Sequence, residues 1–354
     1  MKVVTVIGNR PQFVKAAAVS RRLREEHTEI LVHTGQHYDD ELSTVFVEEL
    51  GIPRPELELG LGGGTNTEQT GRMLAALAPL LADEQPDAVL VYGDTNSTLA
   101  GGLAAAQAQI PVAHVEAGMR SFDRRMPEEL NRVLTDHLST LLLAPSDTAV
   151  ENLRREHVAG TVEQVGDVMV DIAMLIQPRA HADTGAPARL GAPDSGFVLA
   201  TAHRAGNVDD PDRLRALVAL LRGVEGPVVL PLHPRTRARL EAAGLLDDLA
   251  ADVTITKPLG YLDFTALLVR AGRVLTDSGG VQKEAYLAGV PCVTMRDTTE
   301  WVETVDVGWN VLVDLDLDRA RAALAATPPS ERPELYGDGD AGGRVVAAVT
   351  RLVS

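Results

Sequence analysis

Two periodicities alternate along this chain almost from end to end, and that alternation restricts the fold more than any other feature. Short β-branched runs end in Gly, Asn, Asp, Thr or His, and stretches with apolar residues at helical spacing follow them. Parallel strands need a crossover connection, which a helix supplies, so this grammar predicts parallel sheets covered by helices on both faces. Strands are expected at 3–7, 30–32, 88–92, 112–115, 141–144 and 162–165, with helices near 12–24, 40–50, 67–82, 97–107, 127–139 and 147–156. The pattern restarts with strands at 197–201, 228–232, 253–256, 273–276 and 292–295. Between the halves, 179–195 is rich in Pro, Gly, Ala and Asp without a clear period and reads as a linker or loop. The expected class is α/β, with two Rossmann-like domains facing a central cleft, over 1–170 and 171–339. A last helix near 340–354 is expected to pack back on the first domain.

A chain of 354 residues has room for two such cores. With aromatics at only 3%, those cores must rest on Val, Leu, Ile and Ala. No apolar run reaches the roughly 18 residues a membrane span needs. The opening Met1-Lys2-Val3-Val4-Thr5-Val6-Ile7 is too short for a signal peptide and leads straight into a strand. The single cysteine, Cys292, excludes an internal disulfide and suits a reducing cytoplasm. A net charge of -17 repels nucleic acid and anionic membranes, so a phosphate-bearing ligand must be met by a local positive site. Lysine is confined to Lys2, Lys15, Lys257 and Lys283, which makes each of them conspicuous.

Open α/β sheets bind ligands beyond the carboxyl ends of their strands, so the polar residues there are the candidates. Thr276-Asp277-Ser278-Gly279-Gly280 leaves a strand and opens a helix, where uncovered N–H groups at a positive helix end can seat a diphosphate. An ordinary cap by Ser278 or Asp277 is the alternative. His203-Arg204 and His233-Pro234-Arg235, at two other strand ends, add a basic rim. Neither histidine has zinc or iron spacing, and no metal is expected. Gly8-Asn9-Arg10-Pro11 lacks the G-x-G-x-x-G fingerprint and offers instead a guanidinium and, five residues on, Lys15. Acids stand at further strand ends, Asp94 after Tyr92-Gly93 and Glu116 after His114-Val115, and Pro127-Glu128-Glu129 then opens a helix. Carboxylates half-buried beside apolar strands suit acid–base work near neutral pH. Capping by Asp94 and helix-dipole roles for Glu128 and Glu129 are the plainer readings.

Taken in order, several segments carry a resemblance. They are Gly8-Asn9-Arg10-Pro11 with Lys15, Thr34-Gly35-Gln36-His37, Gly93-Asp94-Thr95, and His114-Val115-Glu116-Ala117-Gly118-Met119-Arg120. Pro127-Glu128-Glu129-Leu130-Asn131-Arg132, Thr201-Ala202-His203-Arg204 and Thr276-Asp277-Ser278-Gly279-Gly280 complete the series. Together they resemble the non-hydrolysing UDP-N-acetylglucosamine 2-epimerases, from the first strand to about Asn310, in the family's own order. The resemblance implies the two-domain GT-B fold, a homodimer, and interconversion of UDP-GlcNAc and UDP-ManNAc without a cofactor. A base would take the C2 proton while UDP leaves C1, giving a 2-acetamidoglucal. The proton then returns from the other face and UDP re-adds. By the same resemblance Asp94, Glu116 and Glu128 are acid–base candidates, and His203 acts in catalysis or at the diphosphate. Arg10, Ser278, Gly279 and Gly280 would bind the diphosphate and Glu284 the ribose. Lys15 would lie near sugar or phosphate, with Arg132 and His233 as further substrate-binding residues.

The chain departs from the pattern at Asn9 and Gln12, where many members have Thr and Glu, and at Gly206, where a Glu often follows the His-Arg pair. Asp39 and Glu68 fall near positions where allosterically activated members have Gln and Arg, which argues against that regulation. Gln282-Lys283-Glu284-Ala285 and 296–303 also resemble epimerases of a UDP-2,3-diacetamido-glucuronate, whose extra carboxylate needs a cation such as Lys283 or Arg125. A GT-B glycosyltransferase is the alternative from another class. Three acids are more proton-moving machinery than glycosyl transfer requires.

Overall fold

A computed structural model of the chain describes residues 1–36 and 53–353, and the Arg10 side chain is outside the described set. The helix expected near 40–50, together with His37 and Asp39, also lies outside it. The chain divides into two compact units, Met1–Met174 with Glu334–Ser354, and Leu175–Pro333.

The first unit holds β1 (Lys2–Ile7), β2 (Thr28–His33), β3 (Leu57–Glu58), β4 (Ala88–Tyr92), β5 (Val112–Val115), β6 (Leu141–Ala144) and β7 (Thr161–Gln164). Its seven strands run in the order β3-β2-β1-β4-β5-β6-β7, all paired parallel. The order reverses between β1 and β4, whose register places Val6 opposite Val91. The strand residues from Val3 to Ile7 and from Ala88 to Tyr92 are buried, as a central strand covered on both faces requires. Each buried Val or Leu contributes about 1.5–3 kcal/mol against exposure.

The second unit holds β8 (Val198–Thr201), β9 (Val228–Pro231), β10 (Thr254–Thr256), β11 (Arg273–Thr276), β12 (Cys292–Thr294) and β13 (Asn310–Leu312). They form a six-stranded parallel sheet ordered β10-β9-β8-β11-β12-β13, reversing between β8 and β11. β3 and β13 are too short to carry a readable period, which is why periodicity alone does not predict them.

The expected linker at 179–195 is instead about half helical. Val168–Ala182 runs into its first residues and Ala186–Leu190 follows, and the division between units falls inside the first of these helices. Ala-rich composition hid the period, and Pro178 sits inside the helix rather than ending it.

The C-terminal helix Ala341–Leu352 packs on the helix Arg10–Glu26. Two of its opening N–H groups, those of Ala341 and Gly342, donate to the Asp171 carboxylate at 3.1 and 2.9 Å, a cap supplied from another helix. A Cβ on Gly342 would stand 2.3 Å from the Ala18 carbonyl oxygen, so only glycine permits this approach.

Candidate functional site

Both sheets carry candidate residues at the carboxyl ends of the strands at or next to the reversal, where the topology leaves a crevice in each sheet. In the first unit, β1 ends at Gly8 and the helix Arg10–Glu26 begins under an Asn9 cap with Pro11 in its first turn. Gln12 fastens this turn to the end of β4. Its Oε1 accepts from Gly8 N at 2.7 Å, and its Nε2 donates to Tyr92 O at 2.7 Å and Thr98 Oγ1 at 2.8 Å. The departure from Glu at this position thus supplies a donor that an ionised carboxylate lacks.

One turn further along the same helix, Lys15 Nζ meets Glu116 Oε1 at 2.7 Å, with both side chains mostly buried. Glu116 leaves β5 in the left-handed region, at φ 69°, a costly position for a residue with a side chain. Gly93, at φ 61°, makes room for the pair, since a Cβ there would lie 3.1 Å from Lys15 Nζ.

Behind these residues lies a buried charged network. His114 Nδ1 faces Asp136 Oδ1 at 2.7 Å and its Nε2 faces Gly93 O at 2.7 Å. Asp136 Oδ2 also accepts from Gly118 N at 3.1 Å and pairs with Arg120 at 2.7 Å. Burial would raise the Asp136 carboxyl, but hydrogen bonds and charge from His114 and Arg120 hold it below the ordinary range. Arg120 also grips Glu156 through two 2.7–2.8 Å contacts, which depress the Glu156 carboxyl. The network therefore fixes both Gly93 and Gly118, on either side of Asp94 and Glu116.

Asp94 is half-buried and paired with Arg132, whose other amino group meets Glu129 at 3.0 Å. Asn131 Nδ2 donates to Asp94 O at 3.0 Å. The helix Pro127–Leu138 therefore buries Glu129, Arg132 and Asp136 while exposing Leu130 and Leu134, the reverse of an ordinary amphipathic helix. Charges at i, i+3 and i+7 are the sequence signal that joins Asp136 to Glu129 and Arg132 on one face. Glu128 stands exposed in the first turn of this helix.

In the second unit, Asp277 is fully buried and organises the end of β8. Its carboxylate accepts from His203 N at 3.1 Å, Arg204 N at 3.0 Å and Asn207 Nδ2 at 3.2 Å. Asp277 is thus committed to the β8 loop, and Ser278, the N-cap residue of Gly279–Ala288, makes no side-chain cap. A Cβ on Gly280 would meet only Ser278 Oγ, at 3.9 Å, so this helix start is open on that side. Gly279 faces inward, where a Cβ would fall 2.1 Å from Glu300 Oε1. The rings of His203 and His233 stack at 5.3 Å. His233 Nδ1 accepts from Arg235 N at 3.1 Å, capping the helix Pro234–Ala242 and leaving Nε2 to carry the ring proton.

Glu284 is half-buried on the second turn of Gly279–Ala288. Lys283 is buried, its Nζ 4.1 Å from the centre of the Trp301 ring, and Arg125 is exposed and paired with Asp123 at 2.8 Å. Neither is a bare cation awaiting a carboxylate. Among the described residues, no cluster of three or more His, Cys, Asp or Glu side chains is placed to hold a metal ion.

Residues 21–350 match the family model for UDP-N-acetylglucosamine 2-epimerase. The chain belongs to the UDP-N-acetylglucosamine 2-epimerase family. Within it, the chain is 49% identical to the UDP-2,3-diacetamido-2,3-dideoxy-D-glucuronate 2-epimerase of Pseudomonas aeruginosa, covering 99% of this chain and 100% of that one. It is 43% identical to a UDP-N-acetylglucosamine 2-epimerase homolog of Methanococcus maripaludis over 99% and 100% of the two chains. The fold superposes with a TM-score of 0.93 on the Methanocaldococcus jannaschii UDP-GlcNAc 2-epimerase in complex with UDP-GlcNAc and UDP. That structure shares 40% identity over 99% of this chain and 100% of that one. The family expectation drawn from the strand-end motifs therefore holds, as does the expectation of two parallel-sheet α/β domains.

Proposed function

We propose that this chain reversibly epimerises C2 of a UDP-2-acetamido sugar, converting UDP-GlcNAc to UDP-ManNAc, by eliminating and re-adding UDP. Family membership supports the reaction class, and the Lys15–Glu116 pair beside Asp94 is the observation that carries the chemistry. In the first half-reaction the C2–H and C1–O bonds break, the proton goes to a protein carboxylate, and the electron pair closes the C1–C2 double bond. UDP leaves with the C1 oxygen, and the second half-reaction reverses these steps with protonation on the opposite face.

A C2 proton is weakly acidic, so the departing diphosphate charge has to be stabilised in place. Ser278, Gly279 and Gly280 supply an open helix start for it, with His203, His233 and Arg10 as its cationic or hydrogen-bonding partners and Glu284 at the ribose. Glu116, Asp94 and Glu128 share the proton transfers, with Lys15 holding Glu116 in place.

A second reading is favoured by the 49% identity to the Pseudomonas enzyme, namely a UDP-2,3-diacetamido-glucuronate as substrate. Incubating the protein with each UDP-sugar in deuterated water and following C2 by NMR separates the two. The UDP-GlcNAc reading requires C2 deuteration and UDP-ManNAc at equilibrium, and exchange confined to the glucuronate replaces it with the second. Exchange in neither removes the epimerase assignment.

We also propose a cytoplasmic homodimer. No helix among the described residues is long and apolar enough to cross a membrane, and Leu130, Leu134 and Phe122 are exposed apolar side chains of the kind that a second copy would cover. Sedimentation at micromolar concentration tests this, a monomer being the contrary result.

A further inference from the structure

Glu129, the second acid of Pro127-Glu128-Glu129, is 2% exposed and accepts from four donors. Its Oε2 takes Ser121 N at 2.9 Å, Ser121 Oγ at 2.9 Å and Arg132 Nη1 at 3.0 Å, and its Oε1 takes Phe122 N at 3.0 Å. The other amino group of Arg132 is on Asp94 Oδ2. One carboxylate thus sets the rotation of a guanidinium whose opposite edge grips Asp94. We infer that Glu129 is a positioning residue for Asp94, acting through Arg132.

The inference rests on the epimerase reading for its kinetic consequence but not for its geometry. Arg132 has a planar fork of fixed spacing, so fastening Nη1 to Glu129 fixes where Nη2 lies. Among the described residues, Arg132 is the side chain that grips the Asp94 carboxylate. It follows Gly93, a left-handed turn, and its backbone carbonyl is held by Asn131. Glu129 also holds Phe122 in a left-handed conformation, at φ 59°, with the ring 71% exposed. Strain of this kind persists only where neighbouring contacts over-determine it. Loop 121–122, Glu129, Arg132 and Asp94 therefore form one continuous set of charge-assisted hydrogen bonds. Arg132, expected from the sequence as a substrate-binding residue, is the intermediate link of this set.

The test is Glu129→Ala and Glu129→Gln, with Arg132→Lys as a second route should either fail to fold. In each, kcat is expected to fall on the order of 10–100-fold, as for misplacement of a reacting group by about 1 Å, while KM stays within about threefold. UDP affinity by calorimetry is expected to stay within about twofold in the two Glu129 variants, because Glu129 is not among the residues assigned to the diphosphate or the ribose. The Glu129→Ala and Arg132→Lys losses are expected to be non-additive in the double variant. The carbon NMR signal of the Asp94 carboxyl is expected to shift in Glu129→Ala, and this readout needs no turnover. A folded Glu129→Ala with unchanged kcat, or an unmoved Asp94 signal, overturns the inference. Wild-type protein inactive on both UDP-sugars, with the Asp94 signal shifted in the variant, sinks the epimerase reading and leaves the positioning role standing.

Discussion

Replacing Asp136 by Asn puts a number on the buried network. Asp136 and its partners His114 and Arg120 are at most 2% exposed, so solvent screening gives no discount. Asn keeps one oxygen, whereas Asp136 now serves His114 at 2.7 Å, Arg120 at 2.7 Å and Gly118 N at 3.1 Å. Its amide NH2 must then face a donor, and Arg120 loses its fully buried counter-charge while keeping Glu156. Breaking a buried pair by removing one partner costs about 3–5 kcal/mol. For a domain of this size each kcal/mol lowers Tm by roughly 2–4 °C, so a fall of roughly 6–20 °C is expected by calorimetry. Adding Arg120→Met should cost less than it does alone, because the stranded cation is then removed. A single variant melting within about 2 °C of wild type, or strictly additive losses, would refute the claim that Asp136 anchors Gly93 and Gly118.

Other consequences follow from single positions. Gly93→Ala places a Cβ 3.1 Å from Lys15 Nζ at φ 61°, and kcat should fall about tenfold or more with UDP affinity retained, as steady-state kinetics and calorimetry will show. Gly342→Ala meets the Ala18 carbonyl and should release the C-terminal helix, read as faster trypsin cleavage after Arg344. Asp136 and Glu156 have folded values below their ordinary 3.8 and 4.5, so their stabilisation is present above that range and lost as pH falls through the lower folded values. Asp171, raised by burial, contributes with the opposite sign, its share lost as pH rises through the folded value. Denaturant titrations between about pH 2 and 6 should therefore show a shallower acid loss in Asp136→Asn than in wild type. Burial pushes the Cys292 thiol up to about 12, so iodoacetamide at pH 8 should label it only after unfolding.

The main strands and the strand-end loops were legible because β1, β4, β5, β8 and β11 carry largely apolar runs that end abruptly in Gly, Glu, Asp, His or Ser. Asp94, Glu116, His203 and Ser278 stand out there as polar residues where the apolar run stops. Legibility failed where the determinants are three-dimensional. Asp136 and Glu129 lie within a helix whose charged face is buried, and the helical reading alone assigns charge to solvent. Asp277 read as a cap, yet it is spent on the N–H groups of His203 and Arg204, and nothing local announces a partner more than seventy residues away. The stretch at 179–195 misled because Ala, Gly and Pro mask a helical period that packing completes.

The proposed reaction gives the C2 proton to Asp94, Glu116 and Glu128, and the diphosphate to Ser278, Gly279, Gly280, His203, His233 and Arg10. Its most direct measurement is Glu116→Gln in deuterated water, with UDP binding followed by calorimetry on the same sample. The account predicts C2 deuterium uptake lowered by a factor on the order of 100 or more at wild-type UDP affinity. Undiminished uptake, or weakened UDP binding with turnover intact, would contradict it.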